Sequence, residues 1–505
     1  MTSDPLVIGQ EKQLFIDDYC VEELSGVRRT FHQARKHPAN PLLGQKEWWE
    51  SYYIQLYGNV LYDPDRREFR MFYNAISKEN IDSVCLATSK DGINWERARL
   101  NHIEHNGRVM SNAVLKGSLR LPTVLHAPDE PDPQKRYRML VFTAKEMGDL
   151  RSEMRVAFQN GYSVFFSPDA IHWTPYERNP VIQGSDMCTC TYDPVTKEYI
   201  AFVKYGTTIG GKFRRCVAIH TSRDFVRWGV SQTIMSADEI DDARIPERLY
   251  RFRDRLKYDH PSEYVSDIYG MTGFRYEGLR LGMIWLFDIA ANRAAEHGGL
   301  NEGIMNVQLV YSRDENPYGY WHRLGDRRDF IPCGNEGDFD AGMVFTSSTI
   351  VEVGDEIWFY YTGSDESYDG SWFDYGFPER AKAQSKVPTG KRFSIGLATL
   401  RRDGFVSIYS SCPAGRLTTR LLKFTGEHLE INADAEKGSI RVEILDAEGK
   451  PIPGYTKEDC ITFARDEVHG IVEWKRGRHL RPLEGRPVRI VFHMETAKLY
   501  AFRFV

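Results

Sequence analysis

A seven-residue phrase recurs along the chain and constrains its fold more than any other feature. It reads Ser89-Lys-Asp91-Gly92-Ile-Asn-Trp95, then Ser167-Pro-Asp169-Ala-Ile-His-Trp173, then Ser222-Arg-Asp224-Phe-Val-Arg-Trp228. A longer copy runs from Ser312-Arg-Asp314 to Trp321, and a worn one is Leu400-Arg-Arg-Asp403-Gly404-Phe405. Each follows an apolar, strand-like run, at 84–87, 162–166, 217–220, 307–311 and 395–399. The chemistry is local: Asp accepts backbone N–H bonds in a turn, Gly supplies positive φ, and the Trp returns to cover the hairpin. Repetition of one β-hairpin unit at such intervals is the sequence mark of a β-propeller.

An upstream half accompanies every copy. Gly58-Asn-Val-Leu-Tyr62-Asp63-Pro64 and Phe69-Arg-Met-Phe-Tyr73 precede the first; Thr189-Cys-Thr-Tyr192-Asp193-Pro194 and Tyr199-Ile-Ala-Phe-Val203 precede the third. The unit is strand, Asp/Gly/Pro turn, strand, loop, strand, Ser-x-Asp turn and a short Trp strand. Five units predict an all-β chain with a five-bladed β-propeller over residues 45–410. Beyond it, 411–505 alternates polar and apolar residues at strand length, as in Ser439-Ile-Arg-Val-Glu-Ile-Leu445, and predicts a C-terminal β-sandwich. Residues 1–44 are expected to pack on the propeller or close it; Gln13-Leu-Phe-Ile-Asp-Asp-Tyr19 reads as an extra strand, with Asp17 and Asp18 as readily structural as catalytic. Two insertions, at 241–257 and 366–392, read as long loops rimming one mouth. The second begins with Tyr368, Trp372, Phe373, Tyr375 and Phe377.

A formal charge of −5 over 505 residues, without a Lys/Arg block, offers no field for nucleic acid or anionic membrane. No stretch approaches a membrane span, and the first residues lack a basic end and an apolar core, so a cytoplasmic chain is expected. A mature secreted chain would look the same. The eight cysteines are scattered and read as reduced core thiols, with Cys188 and Cys190 alternating in a strand. None of the fourteen histidines pairs at metal-ligand spacing, and no cofactor is expected.

In a propeller, polar residues at the start of each inner strand converge on one mouth. Those positions are Glu50 and Gln55, Arg120, Asp186, Asp267 and Asp340. Like charges in a narrow, partly desolvated site push at least one carboxyl pKa up, so one acid stays protonated while another works as base. Glycoside hydrolysis needs such a pair, with aromatic faces on which sugars stack. Trp49, Tyr52 and Tyr269 lie beside these strands. The competing reading makes each Asp a cap of its own turn. That structural role is assigned outright to Asp91, Asp169, Asp224 and Asp314.

With these residues in view, the architecture resembles the invertase, fructanase and arabinanase group of glycoside hydrolases, and the bacterial family 32-like proteins with a Leu-Phe-Ile-Asp-Asp-Tyr start. Ala87 to Trp95 is similar to the first blade of invertase-like enzymes, and Asp267-Ile-Tyr-Gly270 to their fourth-blade Asp-Phe-Tyr-Ala. Asn40-Pro-Leu-Leu43 and Asn179-Pro-Val-Ile182 look like the Asn-Pro-Ile-Leu entry of propeller mannoside phosphorylases. The departures are specific. Gln55 stands where the resemblance implies the nucleophilic Asp, and Arg120-Leu121-Pro122 lacks the second-blade carboxylate. Only the third-blade acid has a carboxyl counterpart, Asp186. The resulting expectation is a non-standard or inverting glycoside hydrolase acting on a carbohydrate substrate. Asp186 would be general acid, Asp340 general base, and Asp267 a ligand for sugar hydroxyls or a tuner of pKa. Glu50, Tyr52, Gln55, Trp49, Arg120, Lys204 and Tyr269 would contact substrate. The alternatives are a phosphorylase, with Arg120 and Lys204 on phosphate, and a non-catalytic sugar-binding propeller. A channel Ca²⁺ enters only through the resemblance to arabinanases.

Overall fold

A computed structural model describes residues 4–79, 81–143, 161–184, 186–252, 256, 264–292, 301–368, 392–411, 414–477 and 479–505. The protein is all-β: among the described residues, α-helix is confined to Glu239–Ala243 and Ile245–Leu249. Trp372, Phe373, Tyr375 and Phe377 lie outside the described residues, as does Lys257.

Successive antiparallel meanders follow the repeat. The first is built on Tyr53–Gln55, Val60–Asp63, Glu68–Ile76 and Asp82–Ser89; the second on Leu119–His126, Tyr137–Thr143 and Gly161–Ser167. The third comprises Cys188–Asp193, Glu198–Ile209, Lys212–Ser222 and Gln232–Ser236. Val265–Tyr276, Leu279–Asn292 and Asn301–Ser312 form the fourth. In the last, Met343–Thr346, Glu356–Ser364 and Phe393–Arg401 receive their edge from the chain's beginning, through Arg35–Lys36 and Leu43–Gly44.

The inner strands bond to one another in a closed cycle. Asn59 accepts from Val124 N at 2.8 Å, and Cys188 Sγ reaches Leu121 O at 3.8 Å. Thr189 Oγ1 donates to Met271 O at 2.6 Å, and Thr272 Oγ1 to Ser348 O at 2.7 Å. Ser348 N returns to Gly58 O at 2.9 Å. Short hydroxyl and amide side chains on inner strands thus satisfy peptide groups of the next strand where no ladder can form.

The repeated turn has one bond pattern. Ser89 Oγ accepts from Gly92 N, while Asp91 Oδ1 accepts from Ile93 N and Asn94 N, all at 2.8–2.9 Å. Ser167/Asp169 and Ser222/Asp224 repeat it. Gly92 takes the positive φ, and Ala170 and Phe225 take it in the later copies, so the Ser and Asp bonds hold the turn without glycine. The two Asn-Pro entries are also structural: Asn40 and Asn179 pair through their amides with the backbone of Leu397 and Val164.

The rest of the chain forms two sheets around a shared core that includes Phe15, Leu417, Ile431, Val442, Phe492 and Phe502. One sheet orders Asp466–Val472, Leu429–Asp434, Ala497–Phe504, Val406–Ser410 and Arg28–Phe31; the other orders Val21–Ser25, Gly415–Thr419, Arg489–Glu495 and Ser439–Leu445. The segment 1–44 therefore divides its pairing. Gln13–Leu14, Val21–Ser25 and Arg28–Phe31 join the two-sheet unit, while Arg35–Lys36 and Leu43–Gly44 join the last meander. Asp17 and Asp18 are spent on ion pairs with Arg313 and Arg29.

Candidate active site

Inner strands and third strands of antiparallel meanders begin at the same rim, and here that rim carries three ion pairs drawn from four meanders. Asp186 enters the third inner strand with φ +70°, left-handed backbone unusual for a non-glycine residue. Lys204 Nζ donates to its Oδ2 in a short contact, and Tyr269 OH lies 3.5 Å from the same oxygen. The Lys204 ammonium also stands 5.2 Å from the Tyr269 ring centroid. Burial pushes the Asp186 carboxyl up, but Lys204, with Arg120 and Arg215 behind it, outweighs burial and holds it below the usual carboxylate range. Its side chain remains 29% exposed.

Asp267 is nearly sealed, at 3% exposure, and takes Arg215 N on Oδ1 at 3.0 Å and Arg215 Nη1 on Oδ2 at 2.7 Å. Burial prevails there and raises its carboxyl above the ordinary range despite the arginine. Asp82, fully buried at the start of its strand, accepts from Arg120 Nε at 3.2 Å. Leu121 (φ +62°) breaks the register of the strand bearing Arg120. Tyr57, Tyr269 and Tyr368 are buried around Asp186 and Arg215, and burial raises the Tyr57 and Tyr269 hydroxyls well above their usual range.

Of the residues singled out by sequence, the rim unites Asp186, Lys204, Tyr269, Arg120 and, through Arg215, Asp267. Asp340, just before the last inner strand, has its own partners: its Oδ2 binds Lys36 Nζ at 2.6 Å and Tyr361 OH at 2.8 Å, and it is 1% exposed. Glu50 has no exposure and is spent on Arg97, Tyr73 and the N–H groups of Lys46 and Glu47. Trp49 is buried, donating to Asn112 at 3.1 Å, and Tyr52 packs half-buried on Tyr53. Gln55 is 1% exposed inside its strand, its Nε2 without a partner among the described residues. Asp82 and Arg215 were not singled out by sequence. Both lie on third strands, whose starts share the rim with the inner strands, and that register rule is the signal that locates them. Among the described residues no cluster of three His, Cys, Asp or Glu could hold a metal ion, and the seven described cysteines are free and buried.

Burial raises the Asp82 carboxyl to about 7, against the pull of Arg120. The folded protein then keeps a proton that the unfolded chain loses near pH 4. The sign follows: the contribution is fully present below about pH 4 and is lost as pH rises toward 7. Asp82→Asn is expected to flatten this decline and to gain on the wild type by a few kcal/mol at pH 8. Parallel Tm-versus-pH curves for the two proteins would show that Asp82 does not hold that proton.

No family model and no curated relative matches the chain by sequence. Similar solved structures include an N-acetylgalactosamine deacetylase from F. plautii in complex with blood group B trisaccharide, at TM-score 0.44 and 12% identity, covering 75% of this chain and 97% of that one. A putative glycoside hydrolase from Bacteroides ovatus has TM-score 0.42 and 13% identity over 76% and 97%. The β-1,2-mannobiose phosphorylase from Listeria innocua has TM-score 0.42 and 11% identity over 73% and 96%. Likeness of this degree assigns no residue a role, so function rests on the chemistry of the rim.

Proposed function

We propose that the chain is a five-bladed β-propeller with a β-sandwich, hydrolysing glycosidic bonds at the rim that carries Asp186. The cycle of bonds between inner strands supports the propeller reading, and the shared core of two sheets supports the sandwich. One observation carries the chemistry: a partly exposed Asp186, its carboxyl held low by Lys204, shares its rim with Asp267, whose carboxyl burial raises above the ordinary range. Two carboxyl groups driven apart in pKa are what acid–base cleavage of an acetal requires. Their character departs from the roles expected from sequence, where Asp186 was the acid, Asp340 the base and Asp267 a sugar ligand or tuner of pKa. Asp186 is the base or nucleophile, and Asp267 is the proton donor. Asp340, held by Lys36 and Tyr361, positions the last inner strand. Lys204 keeps Asp186 ionised, and Tyr269 braces both.

Product release from fructans, arabinans, mannosides and aryl glycosides, with and without inorganic phosphate, tests the reading. Reducing sugar is expected without phosphate. Release only in its presence would make the enzyme a phosphorylase, and sugar binding without any release would make it a non-catalytic propeller.

A further inference from the structure

The hairpin of the third meander runs past its sheet, with Glu198–Ile209 paired to Lys212–Ser222 along their whole length. Register sets Gly206 opposite Arg215 and Thr208 opposite Phe213, so Lys204, Gly206, Arg215 and Phe213 share one face. Gly206 has a reason to lack a side chain: a Cβ there would lie 2.5 Å from Phe213 Cζ. The phenyl ring thus lies across the strand, yet stays 71% exposed. An aromatic face left open beside cations marks a binding surface better than a core contact.

Those four residues help line a cleft of about 720 Å³, together with Gly184, Val203 and Trp228. Among the described residues lining it are Lys204, Arg215 and His220, and no Asp or Glu. Arg215 commits one guanidinium nitrogen to Asp267 and keeps a 26% exposed side chain. Planar guanidinium donors suit a carboxylate, and a phenyl face suits a sugar ring.

We propose that this cleft is a subsite for an acidic sugar, a ring bearing a carboxylate, adjoining Asp186. The inference rests on the glycosidase reading of the rim. Titration calorimetry with oligogalacturonides and their methyl esters tests it at low and high salt. The free acid is expected to bind about tenfold tighter than the ester, a preference shrinking with salt. Phe213→Ala and Gly206→Ala should each weaken binding about threefold to tenfold, since both remove the ring from its place. Equal affinity for acid and ester would overturn the acidic class. No binding of either, by protein that still cleaves neutral aryl glycosides, would overturn the subsite and leave the hydrolase reading standing. Salt-sensitive acid binding in protein that turns over nothing would support the subsite and sink the hydrolase reading. Inorganic phosphate that displaces the acid and stimulates release would assign the cations to phosphate and overturn the proposal.

Discussion

Asp186→Asn is expected to lower kcat by about two to four orders of magnitude while leaving the fold intact. The substitution keeps the shape and removes the charge, so only the ionised form's work is lost. Lys204 loses its counter-ion at the same time, with its side chain only 15% exposed. Some stability is therefore lost along with activity, and thermal unfolding has to accompany the kinetics. Lys204→Met separates the effects through the pH profile. Activity needs Asp186 ionised, and Lys204 is the largest influence holding its carboxyl low against burial. Without the ammonium the acid limb of kcat/KM moves to higher pH. A folded Asp186→Asn protein with wild-type turnover would remove Asp186 from the chemistry.

The largest effect on stability is expected at Asp403. Its carboxylate takes Lys12 Nζ at 2.6 Å, Tyr276 OH at 2.7 Å and Asn432 Nδ2 at 2.9 Å. Those partners come from the N-terminal segment, the fourth meander and the two-sheet unit, so one side chain ties three parts of the chain together. Lys12 is 4% exposed and Asp403 not at all along the side chain. Asp403→Ala strands a buried ammonium, a defect of about 3–5 kcal/mol. Urea unfolding should shift to a lower midpoint and separate into two transitions, one for the meanders and one for the two-sheet unit. Asp403→Ala combined with Lys12→Met should recover part of the loss, because no charge is then left unpaired. An unchanged midpoint in the single variant would show that the pair contributes nothing.

The difference between what was legible in the sequence and what was not follows chain distance. The Ser-x-Asp turns close over two or three residues, so their chemistry is written into consecutive letters. The third-meander pair, Lys204 with Asp186, spans 18 residues and is reachable from the strand pattern. Arg120–Asp82 and Arg215–Asp267 span 38 and 52 residues and join neighbouring meanders, which a single-sheet reading does not connect. Asp340 was placed correctly at the start of its meander, but its cation comes from Lys36, near the other end of the chain. Glu50 looked like a rim acid because position was legible and burial was not; Arg97 and Tyr73 arrive from strands that fold over it. Carboxylates can be counted in a sequence, but their protonation depends on partners that only packing supplies.

The divided pairing of the first 44 residues bears on how the chain leaves the ribosome. Arg35–Lys36 and Leu43–Gly44 wait for Phe393–Arg401, and Gln13–Leu14 waits for Ala497–Phe504. These strands therefore pair with partners made long after them. A nascent chain of any intermediate length carries open strand edges that find no partner within itself. Closure at such sequence separation is slow, and neighbouring copies emerging from a polysome offer each other the same missing edges.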